Sequence, residues 1–248
     1  MKTLGICGDS WFAATQDLDR GDCKDSKGKH FSEILAKKLN YDLYTLARGA
    51  CSNSAIRLQI SEMVKRKVDL IIIGTTSANR IEYPACDKEY DPMRGIYNIH
   101  YSSYPDLSSL QFNRQDEVLY SDTLTNLFGN KVNCGPVRSE EQRQAIKNYY
   151  LEAFDIKFRE QQDSWIIASG IQEIRDANIP YLLIGQVWLY YSNYFKNKVN
   201  EVIGTTEISP WNYAKNSIRR WHTDDHSQVV LADKIYNYLL ENSIINPL

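Results

Sequence analysis

The chain is poor in cysteine and histidine, carries almost no net charge and has no long apolar run, and each shortage excludes something. Its five cysteines, Cys7, Cys23, Cys51, Cys86 and Cys134, are an odd number without CxxC spacing. That argues against a disulfide framework and against a zinc site. Cys7 lies inside an apolar stretch and reads as packing. A net charge of −2 over 248 residues gives no electrostatic basis for a nucleic-acid partner or an anionic membrane. No apolar stretch approaches the length of a membrane span. No basic segment leads into a long apolar one at the start, so no signal peptide is expected. The expectation is a soluble protein, cytoplasmic as encoded, from a reducing compartment. Asp17, Asp19, Asp22 and Asp25 lack the Gly and Glu of a calcium loop. Neither GxGxxG nor a P-loop follows the first apolar run, which disfavours nucleotide binding.

What is present is the composition of an ordinary globular protein, 43% hydrophobic and 24% charged. The length suits one α/β domain over residues 1–248. Leu4 to Cys7 reads as a buried strand, cut off by Gly8-Asp9-Ser10 and followed by Trp11-Phe12. Phe31, Ile34, Leu35 and Leu39 recur at helical spacing, with Asn40 as the stop. A short strand at 41–46 leads into the small residues 47–54. A helix follows over 54–67, with Ser52 or Asn53 as its cap. Val68 to Gly74 is a continuous apolar run, as a parallel strand buried on both faces requires. It ends in Thr75-Thr-Ser-Ala-Asn79. Strand, helix, strand, helix, strand, with small polar residues after each strand, is the pattern of a doubly wound parallel sheet. The polar turns then gather at one sheet edge, the edge where open α/β sheets bind ligands.

Residues 83–138 break this rhythm and read as a long insertion, holding at most a short helix over 116–128. It serves as a lid, a side wall or a plain surface insertion. His100 lies inside it and reads as a surface residue. The pattern is helical from Ser139, where Ser139-Glu-Glu-Gln142 resembles a capping box, to about Asn178. Residues 180–185 form another buried strand, and 186–195 and 208–220 are aromatic-rich connections. The last helix is expected from about Gln228 to Leu240. Just before it stands Trp221-His-Thr-Asp-Asp-His-Ser227. There is no internal repeat and no second domain.

A serine needs a base to act as a nucleophile at neutral pH, and the base needs an acceptor to hold its tautomer. Ser10 sits on the turn after the first strand. Of the four histidines, His226 follows two aspartates and precedes a helix, whereas His222 has no aspartate before it. Four blocks in order, Gly8-Asp9-Ser10, Ala47-Arg-Gly-Ala-Cys-Ser-Asn53, Ile71-Ile-Ile-Gly-Thr-Thr-Ser-Ala-Asn79 and Asp224-Asp-His226, make the chain resemble the SGNH (GDSL-type) hydrolases, in the variants met among phage and bacterial proteins. The resemblance covers nearly the whole chain except the insertion and the aromatic segment around 186–220.

The resemblance implies a flavodoxin-like, three-layer α/β/α fold and ester hydrolysis with no metal and no cofactor. Ser10 would attack the carbonyl and His226 would carry its proton. The usual last block puts an aspartate three residues before the histidine, where this chain has Thr223. A related spacing fits Asp224, preferred over Asp225 because successive residues of an extended segment point apart. The oxyanion would be held by the Ser10 N–H, by a backbone N–H of Gly49 or Ala50, and by a side chain from the third block, Thr76 or Asn79. Asp9, Trp11 and Asn53 flank these groups and are read as substrate-binding. The implied substrate is a small acyl ester, foremost an O-acetyl group on a carbohydrate, in keeping with 17 Tyr and 5 Trp. Alternatives are an O-acyltransferase of the same fold and a catalytically weak carbohydrate-binding or virion-associated protein. Oligomeric state is left open.

Overall fold

The computed structural model describes residues 1–13, 28–47, 52–78, 81–82, 89–91, 96–98, 118–119, 148–149, 152–186, 189, 195, 198–216 and 223–246. In chain order the elements are β1 (Thr3–Cys7), α1 (Phe31–Leu39), β2 (Asp42–Thr45), α2 (Asn53–Arg66), β3 (Leu70–Gly74), β4 (Ile81–Glu82), β5 (Glu89–Asp91), β6 (Ile96–Asn98), β7 (Val118–Leu119), α3 (Ile156–Asp176), β8 (Tyr181–Gly185), β9 (Glu201–Ile203), a 3-10 helix (Pro210–Asn216) and α4 (Asp225–Glu241). β1, β2, β3, β8 and β9 form one sheet, all parallel, in the order β2-β1-β3-β8-β9. This is the flavodoxin-like, doubly wound arrangement. The chain reverses its direction of travel across the sheet between β1 and β3, and that is where such folds open a crevice at the carboxyl ends of the strands.

Alternation along the strands builds two cores. Leu4, Ile6, Leu70, Ile72, Leu182 and Ile184 face α1 and α4, meeting Phe31, Leu35, Leu39, Leu231, Ile235 and Leu239. Cys7, Ile71, Ile73 and Leu183 face α2 and α3, meeting Ile56, Ile60, Met63, Ile167 and Ile171. With both faces covered, β3 and β8 are buried along their whole length. Cys7 is packing, as its apolar setting predicts.

Local chemistry sets the helix ends. Ser52 caps α2 by accepting the Ala55 N–H at 3.2 Å. Asn40 ends α1 in the left-handed conformation, φ 53°, which asparagine tolerates well. Two expectations need correction. The helical pattern expected over 139–178 is interrupted before α3: residues 154–155 are non-helical, and Asp155 caps a new helix by accepting from the Lys157 and Phe158 N–H groups. The last helix begins at Asp225 instead of Gln228, because Asp224 accepts the Ser227 N–H at 2.7 Å and so starts it three residues earlier.

Most of the expected insertion, with the Ser139–Gln142 capping box, lies outside the described residues. Within it β5 pairs antiparallel with β6, and β7 pairs with β4 just before the insertion; of the stretch 116–128, expected to hold at most a short helix, only 118–119 are described, and they are extended. Among the described residues no helix is long and apolar enough to cross a membrane.

Candidate active site

The site starts from the turn that ends β1. Gly8 has φ +153°, and a Cβ on it would stand 2.7 Å from the Phe12 Cβ, so only glycine lets the chain fold back this tightly. The Phe12 and Ala13 N–H groups both donate to the Asp9 carbonyl at 3.0 Å. The Asp9 side chain accepts the Trp11 N–H at 3.0 Å, so Asp9 caps the turn as it would a helix. Phe12 is fully buried. Its ring lies against the end of β3, where a Cβ on Gly74 would fall 1.8 Å from Cε2. Edge contacts to Phe31, 5.6 Å between centroids, and Trp211, 6.1 Å, complete its cage. Ser10 is left half-buried between these anchors. Among the described residues nothing bonds to its N–H or its hydroxyl. Among the described residues, then, the Ser10 N–H and hydroxyl are uncommitted on a clamped turn at the switch point.

Behind the turn runs a buried polar chain. The Asp9 carboxylate, fully buried, accepts the Thr76 hydroxyl at 2.8 Å. Asn53 grips the Thr76 backbone at both ends: its Oδ1 accepts the Thr76 N–H at 3.0 Å, and its Nδ2 donates to the Thr76 carbonyl at 2.9 Å. The second Nδ2 proton goes to Asp163 of α3 at 2.8 Å. The Arg159 Nε stands 3.0 Å from the other Asp163 oxygen, an ion contact that falls short of hydrogen-bond geometry. Gln59 of α2 closes the other side, accepting the Gly8 N–H at 2.7 Å and donating to the Gly8 carbonyl at 3.3 Å. Thr75 ties β3 to the end of β8 by accepting the Gln186 N–H at 3.0 Å. Asp9, Asn53, Gln59, Thr75, Thr76 and Asp163 are each buried with a hydrogen-bond partner, as the cost of desolvating them requires.

These bonds assign work to residues read from sequence as site groups. Thr76 spends its one hydroxyl proton on Asp9, so that proton is not available to an oxyanion in this arrangement. Asn53 spends both amide protons, on Thr76 and Asp163, and acts as a clamp with none left for substrate. Asp9 faces inward and shapes the Ser10 turn. Trp11 packs at the edge of the α1 and α4 core. Gly49, Ala50 and Asn79 lie outside the described residues.

The two residues expected as base and partner, His226 and Asp224, stand at the start of α4. His226 is exposed on the first turn of that helix, and Asp224 serves as its cap. The extended geometry used to prefer Asp224 over Asp225 holds for Asp224 alone, since Asp225 is already helical. Asp225 pairs with Lys29 at 3.1 Å on the surface. The start of α4 is tied to the start of α1: Gln228 Oε1 accepts the Phe31 N–H at 2.8 Å, and Gln228 Nε2 donates to the Thr223 hydroxyl. Phe31 in turn packs on Phe12. Ser10 and His226 thus each stand two residues from one connected unit, Phe12–Phe31–Gln228.

The other histidines divide cleanly. His30 is buried and caps α1, with Nδ1 accepting the Ser32 N–H at 3.3 Å. His100 and His222 lie outside the described residues. Sequence reasoning missed Gln59, Asp163 and Gln228. The available signal was a polar residue on an otherwise apolar helix face, Gln59 beside Ile56 and Met63, and Asp163 four residues before Ile167.

No protein-family model matches the chain, and no curated protein matches it. Solved structures do resemble it. The psychrotrophic esterase EstA from Pseudoalteromonas sp. is 8% identical with a TM-score of 0.48, over 96% of this chain and 97% of its own. The acetyl xylan esterase AlAXEase is 11% identical at 0.46, over 96% and 100%. The acetyl xylan esterase Est2A from the rumen bacterium Butyrivibrio proteoclasticus is 12% identical at 0.43, over 96% and 63%. With likeness this distant, function has to be argued from the chain's own residues.

Proposed function

We propose that the chain is a serine ester hydrolase. The observation that carries this reading is Ser10: a half-buried serine whose hydroxyl and N–H bond to nothing among the described residues, on a turn locked by Gly8, Asp9 and Phe12, at the switch point of a flavodoxin-like sheet. In this reading the Ser10 hydroxyl attacks the acyl carbonyl while His226 takes its proton. The tetrahedral oxyanion accepts the Ser10 N–H and a backbone N–H from Gly49 or Ala50. Because Thr76 is occupied by Asp9, the side-chain donor falls to Asn79. One such donor is typically worth about 3–4 kcal/mol in the transition state. His226 then returns the proton to the leaving alcohol, and water enters by the reverse path.

Asp224 takes the orienting role. It stands two residues before His226 and caps α4 by accepting the Ser227 N–H. The substrate we propose is a small acyl ester, foremost an O-acetyl group on a carbohydrate, on the strength of the aromatic-rich second half. A second reading, a carbohydrate-binding protein of the same fold with little chemistry, draws on the occupied Thr76 hydroxyl. An acyltransferase would use the same residues with water excluded.

The test is turnover of a short-chain acetyl ester together with labelling by a fluorophosphonate, for wild type, Ser10→Ala, His226→Ala and Asp224→Ala. Loss of both signals in the serine and histidine variants, with partial loss at Asp224, supports the assignment. A folded wild type that neither labels nor turns over overturns it in favour of the binding reading.

A further inference from the structure

Asp163 lies 153 residues after Ser10 and on a different layer of the molecule, yet its side chain is fully buried and bonded into the site. A buried carboxylate costs stability unless it is paired, so its position at this edge calls for a reason. The reason offered by the geometry is orientation. Asn53 can hold the Thr76 backbone only with its amide oxygen toward the N–H and its amide nitrogen toward the carbonyl. An ionised carboxylate accepts and never donates, so Asp163 admits the nitrogen side of that amide and rejects the oxygen side. The bond it receives is charge-assisted and about twice as strong as a neutral one.

From Asn53 the constraint passes on without a gap. Thr76, held at its backbone by Asn53, aims its hydroxyl at Asp9. Asp9 fixes the turn that carries Ser10 by accepting the Trp11 N–H. We infer that Asp163 is a positioning residue for the Ser10 turn, acting from α3 through Asn53 and Thr76. The inference rests on the hydrolase reading above. It adds a residue of α3, a helix outside the four sequence blocks, to the machinery that sets the reacting geometry. Its effect falls on the rate of acylation and not on substrate affinity, because none of the three relay side chains has a proton left for substrate.

The test compares wild type, Asp163→Ala, Asp163→Asn, Asn53→Ala and the Asn53→Ala/Asp163→Ala double variant, each as the full chain with active sites counted by phosphonate titration. Misplacing a reacting group from a distance lowers rates by up to about a hundredfold. Asp163→Ala is therefore expected to lower kcat per titrated site about tenfold to a hundredfold, with KM little changed. Asp163→Asn, whose Oδ1 still accepts from Asn53, restores most of that loss. In the Asn53→Ala background, Asp163→Ala costs nothing further, the signature of two groups acting as one unit. If the alanine variant does not fold, Asp163→Ser keeps an oxygen of shorter reach and takes its place.

An Asp163→Ala protein that melts lower but keeps its kcat per site overturns the inference and leaves the hydrolase reading standing. Additive losses in the double variant overturn the relay through Asn53. A folded wild type that is inert overturns both.

Discussion

The two ends of the sheet each bury a carboxylate system, and they are built for different ends. At the carboxyl end, Asp163 stands in ion contact with Arg159 at 3.0 Å, but its link to Asp9 runs through neutral donors, the Asn53 amide and the Thr76 hydroxyl, which are directional and have no protons to spare. At the amino end, Glu201 at the start of β9 receives the Tyr181 hydroxyl at 2.7 Å and pairs with Arg175 from the end of α3. Arg175 also donates to the Tyr181 hydroxyl at 3.0 Å. An ion pair tolerates small displacements, whereas the saturated neutral donors between Asp163 and Asp9 do not. The amino end therefore ties a helix to two strands, and the carboxyl end defines the position of a turn. Damage at the first should appear in stability alone, and damage at the second in stability and rate together.

The largest effect separates chemistry from scaffold. Ser10→Ala is expected to lower turnover of an acetyl ester by about 10⁴-fold or more while leaving the melting temperature unchanged, since Ser10 makes no hydrogen bond among the described residues. Gly74→Ala comes next. Its Cβ would fall inside the Phe12 ring, so the ring and the turn behind it must move. Overpacking of this kind costs about 1–3 kcal/mol or more, read by chemical denaturation, and activity should fall with it.

The sharpest contrast pairs two near-isosteric changes. Thr76→Val removes the hydroxyl that Asp9 accepts, and Tyr181→Phe removes the one that Glu201 accepts. Each leaves a buried acceptor short of a donor, at about 1–3 kcal/mol. Thr76→Val should also lower kcat, and Tyr181→Phe should leave it unchanged. Equal losses of kcat in the two would erase the distinction between the ends.

The amino end also carries a pH signature. Burial first, and then the hydrogen bond and charge of Glu201, raise the Tyr181 pKa well above the ordinary 10.0. The unfolded tyrosine releases its proton near pH 10 while the folded one keeps it, so the unfolded state binds fewer protons there. The stability associated with this group is intact below about pH 10 and is lost as the pH rises toward the folded value. Urea midpoints measured from pH 9 to 11 should fall more steeply for wild type than for Tyr181→Phe. The smallest effect belongs to the exposed Lys29–Asp225 pair, where Lys29→Ala should change stability by less than about 1 kcal/mol.

Reading the chain without its structure went furthest where the signal is local. Leu4 to Cys7, Val68 to Gly74 and residues 180–185 are apolar runs ended by glycine or a small polar turn, and each is a strand of the sheet. The break at Asp155 was missed because the apolar spacing carries on across it. The early start of α4 was missed because Asp224 was read for its chemistry and not as a cap. In the site, Ser10 and the turn residues around it could be picked out from the order of the blocks. The working states of Thr76 and Asn53 could not.

By itself, then, the sequence determined the alternation of strands and helices, the two-faced burial of the sheet and the gathering of polar turns at one edge. These follow from periodicity and turn chemistry over a few residues. Only the tertiary structure decided which polar residues at that edge are committed and which are free. That depends on partners far away in the chain, Asn53 on Asp163 and Asp9 on Thr76. A hydroxyl or amide proton goes to whichever acceptor burial places beside it, and no local spacing records that choice.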